Sequence, residues 1–252
     1  MNACGSQKSE RTTEARMFYY NALLLASKAK VPFLVGGAYA LKSYTGITRE
    51  TKDLDLFVCP QDVESMLKVF SDAGYQTEIT AVHWLAKAFF GDYFVDFIFN
   101  SGNGFSMVDD EWFKYASDEE ILGIPVKICP AEEIITQKAF IMERERYDGA
   151  DIAHLLRARA ESLDWERLLR RFGPHWQVLL SHLILFGFIY PSERNRIPAW
   201  VMRELLDRQE VELTSPLPAE RICQGPLISR TQYAIDVECW GYRDIIELIR
   251  TL

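Results

Sequence analysis

A chain of 252 residues with 48% hydrophobic and 25% charged side chains has the composition of a soluble globular protein, and it is long enough for one large domain or two small ones. The formal net charge of −8 excludes a generally basic surface that coats nucleic acid, although an acidic protein can still carry a local basic groove for RNA. The five cysteines are scattered without a close-spaced pair, which favours reduced thiols in a cytoplasm over a disulfide framework or a zinc site.

The N-terminal stretch is polar and has no apolar signal core. Residues 1–13 are expected to be disordered. A helical stripe of apolar residues follows over residues 14–30 and should pack against a sheet. No apolar run approaches the length of a bilayer-spanning helix, because the longest, around residues 178–190, is interrupted by Ser181 and His182. We therefore expect a cytoplasmic protein without membrane contact.

Strand-like and helical segments alternate as far as Pro130, and the pattern turns helical after this proline. The order predicts an α/β (α+β) fold with a mixed β-sheet flanked by helices over residues 14–130, followed by a mostly helical C-terminal domain over residues 131–252, with a cleft between the two. The segments expected in the first domain are strand 31–35, helix 38–44, strand 52–58, helix 62–73, strand 75–79, hairpin 84–100, loop 102–117 and strand 124–129. The tail Gly225–Leu252 is either a terminal helix with a few caps or a polar, aromatic cluster folded onto the active-site rim.

The strongest chemical signal lies between residues 33 and 58. Gly36-Gly37 follows an apolar strand and precedes a helix, which leaves backbone N–H groups open at a helix N-terminus, as in phosphate sites. Asp53 and Asp55 are two residues apart on the next strand and therefore share one face. Because two adjacent carboxylates repel each other, the pair favours a hard, oxygen-seeking cation, Mg²⁺ or Mn²⁺.

A hairpin is predicted around Gly91-Asp92, since glycine at the first turn position suits a type II′ turn. A symmetric turn pairs Lys87 with Asp96 across the two strands. Asp96 is then a lone carboxylate among apolar residues. It is either a surface aspartate beside Lys87 or a third carboxylate of the metal site, in which case Lys87 offsets the carboxylate repulsion until metal displaces it toward the phosphates or solvent.

The order of these elements is a glycine pair, a short helix and a strand with Asp-x-Asp. This order resembles that of the nucleotidyltransferase superfamily, which includes DNA polymerase β. The segment Arg49-x-Thr51-Lys52-Asp53-x-Asp55 is most similar to AbiEii-type bacterial nucleotidyltransferases of type IV toxin–antitoxin systems. The resemblance runs from about Val31 to about Leu156 and implies that Asp53, Asp55 and Asp96 are the catalytic, metal-binding residues. It also implies an NTP substrate such as ATP, with the amides of the glycine pair on its phosphates.

A second part of the resemblance lies in the helical half, where the AbiEii-type pattern is a lysine, an arginine and two aspartates three residues apart. Lys138, Arg144 or Arg146, Asp148 and Asp151 take those places, while Tyr147 stands where the family usually has a lysine. Asp148 is also expected to cap the helix that follows it. The residues assigned to nucleotide binding are Gly36, Gly37, Arg49, Lys52, Lys87, Lys138, Asp148 and Asp151.

The resemblance implies a Mg²⁺-dependent enzyme that transfers NMP from an NTP to an acceptor hydroxyl on tRNA or protein. Such an enzyme would be the toxin-like component of a toxin–antitoxin pair with a cognate partner protein. Two alternatives stay open: a small-molecule nucleotidyltransferase of the aminoglycoside type, and a nucleotide-binding but catalytically silent antitoxin or scaffold. The acceptor, the preferred NTP and the oligomeric state are not fixed by the sequence.

Overall fold

A computed structural model of the chain describes residues 3–49, 51 and 53–250, with side chains from residue 13 to residue 249. The chain divides into two compact units by its internal packing. The first, here called the sheet unit, runs to Gly102 and includes Met107–Pro130, and the second, the helical unit, comprises Asn103–Ser106 and the chain from Ala131 onward. The change in pattern at Pro130 thus coincides with the division between the units, apart from the short segment 103–106.

A seven-stranded mixed sheet forms the centre of the sheet unit. Its strands are β1 (Leu34–Val35), β2 (Leu54–Phe57), β3 (Gln76–Ala81), β4 (Leu85–Phe90), β5 (Tyr93–Ile98), β6 (Ser117–Ile121) and β7 (Ile124–Ile128). They lie in the order β3-β4-β5-β2-β1-β7-β6. The pairs β2–β5 and β1–β7 are parallel and the others antiparallel, which confirms the predicted mixed sheet.

The α-helices that the structure describes in the sheet unit are α1 (Ala3–Lys28), α2 (Gly37–Thr45), α3 (Val63–Asp72) and α4 (Asp110–Lys114). The expectation of a disordered N-terminus is wrong for residues 3–13, because α1 begins at Ala3. The expectation of a loop over residues 102–117 is wrong in part, because α4 forms there. The Asp109 side chain caps α4 by accepting hydrogen bonds from the amides of Glu111 and Trp112, a start signal that the sequence contained.

The core of the sheet unit follows the alternation of β2. Leu54 and Leu56 are fully buried, whereas Asp55 between them is partly exposed. Phe97 on the neighbouring β5 is also fully buried and packs edge-on against Phe70 of α3, with 5.0 Å between ring centroids. The period-2 pattern therefore sends its leucines into the core and keeps its carboxylates on the opposite face.

The helical unit contains α5 (Ala131–Ala139), α6 (Gly149–Arg159), α7 (Trp165–Phe172), α8 (Trp176–Ile189), α9 (Ala199–Thr214), α10 (Ala234–Glu238) and α11 (Ile245–Arg250). Two short strands, β8 (Ile222–Cys223) and β9 (Arg243–Asp244), pair with each other in a separate parallel sheet. Among the described residues, no strand after β7 joins the main sheet, which confirms the predicted mostly helical C-terminal part. The tail beyond Gly225 is not the single terminal helix of the first alternative, since it contains α10, β9 and α11.

A buried ion network joins helices α5 and α7 of the helical unit. Arg167 on α7 lies 2.7 Å from a Glu133 carboxylate oxygen of α5 and 2.5 Å from one of Glu132. Arg171, one turn further along α7, adds a contact of 3.2 Å to Glu133. Glu133 is fully buried, and a buried carboxylate without a positively charged partner would be strongly unfavourable. The arginines therefore stabilise it.

One stretch, Trp165–Ile189, is long and apolar enough to cross a membrane by length and composition alone. By this criterion the expectation that no run approaches that length is wrong. The stretch consists of α7 and α8 joined at Gly173, and 44% of its most apolar window is buried within the fold. Leu168 and Phe186 in this stretch are fully buried. The core helix of a folded unit meets the same criterion of length and composition.

Candidate metal centre

Three carboxylates meet at the adjacent strands β2 and β5. The strands are parallel neighbours, and their register places Asp55 directly beside Asp96. Asp53 lies one residue before β2, on the side of the chain that Asp55 also faces. One oxygen of each carboxylate lies within 4.8 Å of the others, and all three side chains are partly exposed. This is the one group of three or more acidic, histidine or cysteine ligands that the described part of the chain brings together.

The glycine pair packs directly against this acidic cluster. A Cβ atom on Gly37 would lie 1.7 Å from Asp55 Oδ2, and one on Gly36 would lie 2.2 Å from the Phe57 ring. Gly37 also has φ +53°, a left-handed conformation that glycine adopts without strain. The Gly36 amide donates to the Asp55 carbonyl at 3.0 Å, which fixes the turn onto β2. Glycine is therefore required here for close approach to the carboxylate.

Helix α2 begins at Gly37, beside the carboxylates. No side chain caps this N-terminus, so its first backbone N–H groups are not taken up by a cap. Backbone N–H groups at a helix N-terminus are suited to phosphate oxygens. The strand–Gly-Gly–helix arrangement predicted from the sequence is thus present, with the helix starting at the second glycine.

Asp53 is oriented by its own loop. The Thr51 hydroxyl donates to Asp53 Oδ1 at 2.6 Å and lies 3.1 Å from the Asp53 carbonyl oxygen. The motif threonine therefore holds one oxygen of the first carboxylate, and the sequence alone had given it no role. Arg49 is exposed, and Lys52 lies outside the described residues.

The hairpin β4–β5 has the predicted register. Lys87 pairs with Asp96 and Phe89 with Phe94 around Gly91, which has φ +62°. The Lys87 Nζ lies 2.5 Å from Asp96 Oδ1 and 4.0 Å from the centroid of the Phe94 ring. Burial raises the pKa of Asp96 above its usual value, with Lys87 opposing this and Asp53 adding to it. The sequence left open whether Asp96 pairs with Lys87 or joins the other carboxylates. In the structure it does both.

Tyr19 of α1 is a residue of this region that the sequence patterns did not identify. It is 2% exposed, and burial followed by the charge of Asp53 raises the pKa of its hydroxyl above the usual range. The helical stripe in the sequence pointed to Phe18 and Ala22 as core positions and left Tyr19 without a role. Its proximity to the carboxylates depends on how α1 packs, which the local pattern does not encode.

The second motif converges within the helical unit. Lys138 Nζ lies 2.6 Å from Asp148 Oδ2 and 2.8 Å from Asp151 Oδ2, and Arg146 contacts Asp148 at 3.0 Å. Burial raises the pKa of Asp148, but hydrogen bonds from Arg146 and Lys138 hold the net value below the usual range. Asp148 is the N-cap residue of α6, as predicted, but its side chain makes no cap hydrogen bond, because its oxygens face these cations instead. Charge-assisted hydrogen bonds are about twice as strong as neutral ones, which accounts for the preference.

Tyr147, at the place where the resembling family has a lysine, packs on the start of α6. Its ring occupies the position that a Cβ atom on Gly149 would need, within 2.1 Å, and it lies parallel to His182 with 6.3 Å between ring centroids. Both arginine side chains are exposed, and Arg146 donates hydrogen bonds to Asp148. Of the two arginines left open by the sequence, Arg146 is the one that joins the motif.

Comparison with models of protein families shows the family to which the chain belongs. The model, described as a nucleotidyl transferase of unknown function (DUF2204), matches residues 19–172, which is more than half of the chain. The chain belongs to this family. The protein is a nucleotidyltransferase, and the matched region contains the glycine pair, the acidic cluster and the motif of Lys138. No curated protein sequence matches this nucleotidyltransferase significantly.

Three solved structures are similar to this nucleotidyltransferase at low sequence identity. The antibiotic-resistance factor ANT(2'')-Ia is 18% identical over 68% of this chain and 97% of its own, with a TM-score of 0.48. The lincosamide antibiotic adenylyltransferase LnuA, bound to lincomycin, is 18% identical over 56% and 94%, with a TM-score of 0.39. An antigenic nucleotidyltransferase-like protein from Paracoccidioides brasiliensis is 15% identical over 69% and 90%, with a TM-score of 0.44. At these identities the likeness concerns the fold alone.

The acidic cluster of this nucleotidyltransferase fits a divalent cation. Carboxylate oxygens from Asp53, Asp55 and Asp96 converge, and they are the donors that hard cations such as Mg²⁺ prefer. Nucleotidyl transfer uses divalent cations to hold the triphosphate. No histidine or cysteine belongs to the group found among the described residues, which argues against a soft-metal site.

Proposed function

We propose that the protein is a Mg²⁺-dependent enzyme that transfers NMP from an NTP to an acceptor hydroxyl. The observation that carries the proposal is the convergence of three carboxylates directly against the Gly36-Gly37 turn. Metal ligands and a phosphate-binding turn are the two parts that nucleotidyl transfer requires, and here they contact each other. A solvated strand end would not need a glycine whose Cβ position is filled by a carboxylate oxygen.

In this proposal each residue of the cluster has a distinct task. Asp53 and Asp55 hold the cations, and the amides of the glycine pair bind the β- and γ-phosphates. When bound, the cations neutralise phosphate charge and favour ionisation of the acceptor hydroxyl. Asp96 accepts the proton of that hydroxyl as its oxygen forms a bond to the α-phosphorus, and the bond to the leaving pyrophosphate breaks.

Lys87 has a place in the same proposal. Its ammonium occupies an Asp96 oxygen in the metal-free protein and leaves when a divalent cation competes for that oxygen. It then contacts phosphate or solvent. The roles of Arg49 and Lys52 in nucleotide binding stay predictions, since one is exposed and the other lies outside the described residues.

For the subfamily we propose the AbiEii type, with an acceptor hydroxyl on tRNA or protein. The contacts of Lys138 with Asp148 and Asp151 support this, because they unite the residues of the second motif. Nucleotide binding by these three residues stays a prediction, as do ATP as the preferred NTP, a cognate partner protein and a cytoplasmic location. A small-molecule acceptor is the competing outcome of the assay below.

The test is incubation with each α-labelled NTP, Mg²⁺ and one acceptor preparation at a time: total tRNA, a protein extract freed of nucleic acid, or a panel of aminoglycosides and lincosamides. We expect label from one NTP to enter tRNA or protein. Label in a drug would keep the enzyme class and replace the acceptor. Binding of nucleotide without transfer to any of the three would favour the catalytically silent module and contradict the proposed function.

A further inference from the structure

The two glycines of the turn before α2 each lie against one residue of β2. A Cβ atom on Gly37 would lie 1.7 Å from Asp55 Oδ2, and one on Gly36 would lie 2.2 Å from Phe57 Cε2. Asp55 and Phe57 are two residues apart on the strand and therefore point to the same face. That face of β2 thus supports the turn at two points, with a carboxylate against the second glycine and an aromatic ring against the first.

The Phe57 ring is itself packed against a second ring. Trp112 of α4 stacks on it, with 5.3 Å between the ring centroids and an angle of 26° between the planes. Both side chains are buried, so each ring is held by close packing. The Asp109 side chain caps α4 by accepting from the amides of Glu111 and Trp112, which stabilises the helix that carries the tryptophan. A chain of direct contacts therefore leads from α4 through Phe57 to the glycine turn.

A turn made of two glycines has no side chain of its own with which to pack. The Gly36 amide donates to the Asp55 carbonyl oxygen at 3.0 Å, which joins the turn to β2. The Phe57 ring fills the space beside Gly36 and limits how closely this glycine approaches the strand. In the proposed function the amides of the turn bind phosphate oxygens while the carboxylates hold cations. The spacing between these two sets of groups then has to be kept within about 0.5 Å.

We infer that Phe57 is a positioning residue for NTP binding and that Trp112 supports it. The stacked pair holds the glycine turn at the distance from Asp55 at which the amides of the turn reach the phosphates of a cation-bound NTP. The inference rests on the proposed function, and it goes further by giving an apolar residue of β2 and helix α4 a part in that function. Both rings act through the turn. Changing them should therefore weaken NTP binding without weakening the binding of a cation alone.

Separate measurements of nucleotide binding and of metal binding test the inference. The main variant is Phe57→Leu, which removes the ring and keeps an apolar side chain, and Trp112→Phe is a milder change that decides the matter if Phe57→Leu does not fold. Phe70→Leu is the matched control, because Phe70 is an equally buried ring that packs on Phe97 in the core on the opposite face of the sheet. Calorimetry of the full chain measures affinity for each of the four NTPs as its Mg²⁺ complex. Paramagnetic resonance of the free ion measures Mn²⁺ affinity without nucleotide, and the melting temperature reports stability.

We expect Phe57→Leu to bind the NTP that the wild type prefers about 10-fold more weakly or worse, as when a hydrogen bond to a charged group is lost. Trp112→Phe should weaken NTP binding in the same direction but less. Mn²⁺ affinity without nucleotide should equal that of the wild type in both, because the three carboxylates are unchanged. Phe70→Leu should melt at a lower temperature, since a buried ring is lost, and should bind the NTP as the wild type does.

Three results would overturn the inference while leaving the proposed function intact. The first is wild-type NTP affinity in the folded variants of Phe57 and Trp112. The second is an equal loss of NTP affinity in Phe70→Leu, which would show a general effect of destabilisation. The third is a parallel loss of Mn²⁺ affinity in Phe57→Leu, which would show that the ring supports the carboxylates instead of the turn. A wild type that binds none of the four NTPs would overturn both the inference and the proposed function.

Discussion

Lys87 and Asp96 face each other across the β4–β5 hairpin, with the lysine Nζ 2.5 Å from a carboxylate oxygen. Both side chains are largely buried, at 18% and 13% exposure, so their charges are poorly screened by water. The pair lies at the edge of a cluster of three carboxylates. The ammonium therefore supplies positive charge beside the cluster, and in the proposed function a divalent cation takes over that part.

Replacing Lys87 by Met should lower the stability of the metal-free protein by ~1–3 kcal/mol, because Asp96 is left in a buried position without its partner. Mn²⁺ affinity should be unchanged or higher, because a competitor for the Asp96 oxygen is gone. Chemical denaturation with and without Mn²⁺ measures both effects. Lys68→Met is the control, since the Lys68–Asp72 pair is exposed at 74% and 65% and is worth about 0–1 kcal/mol. Weaker Mn²⁺ binding in Lys87→Met would show that Lys87 supports the cation instead of competing with it.

Gly37→Ala should disrupt the acidic cluster itself. The new Cβ would lie 1.7 Å from Asp55 Oδ2, so either the carboxylate or the turn has to move. Gly46→Ala at the other end of α2 is the matched control, because φ is also positive there, at +74°, but nothing lies within 4 Å of the Cβ position. We expect both variants to lose roughly 1–2 kcal/mol from the left-handed conformation, and only Gly37→Ala to lose Mn²⁺ binding and transfer. Equal Mn²⁺ binding in the two variants would contradict the close-approach role.

The sequence predicted the local parts of the site correctly where one short pattern decides the geometry. The turn at Gly91-Asp92 fixes the register of a tight hairpin. The pairing of Lys87 with Asp96 across the two strands could therefore be predicted from the turn. The parallel pairing of Asp55 with Asp96 was not derivable in this way. It joins strands far apart in the chain, and it was available only from the family resemblance.

Charge pairs between distant residues were not predictable from local patterns. Glu132 and Glu133 lie in the first turn of α5, where acids stabilise the helix dipole, but their buried partner Arg167 is on another helix. Asp148 is the predicted N-cap residue of α6, but its side-chain oxygens contact Lys138 instead of capping the helix. In both cases the position follows from a local rule, whereas the charged partner cannot be chosen from the sequence alone.

Arg167→Met should destabilise the protein strongly. Arg167 is 3% exposed and contacts both Glu132 and Glu133, so its loss leaves buried carboxylates without their main partner. Breaking such a pair costs ~3–5 kcal/mol. The control is Arg208→Met, since the Arg208–Glu204 pair is exposed on one helix and is worth ~0.3–0.5 kcal/mol. Denaturant unfolding of the two variants should differ by several kcal/mol, and similar midpoints would show that the network contributes little to stability.

His182 should make stability depend on pH below neutrality. Its Nε2 lies 3.0 Å from the Ala139 carbonyl oxygen, and burial lowers its pKa below the usual value of 6.5. The unfolded chain therefore binds a proton that the folded chain resists, and the stability present above about pH 6.5 is lost as the pH falls below it. His182→Gln should reduce this loss in urea titrations between about pH 7 and 5. His83→Gln, at an exposed position of the sheet unit, should leave it unchanged, and an identical effect of the two substitutions would refute the assignment.

Transfer of label from an α-labelled NTP by Asp53→Asn and Asp55→Asn tests the central claim most directly. Each substitution removes a charge from the cluster of three carboxylates and keeps the side-chain volume. Asp72→Asn on α3 is the control, because Asp72 is exposed and pairs only with Lys68 among the described contacts. We predict that both cluster variants lose transfer by at least ~100-fold, as expected when a charged group that stabilises the transition state is removed, while Asp72→Asn and the wild type remain equal. Activity near that of the wild type in either folded cluster variant would contradict the account.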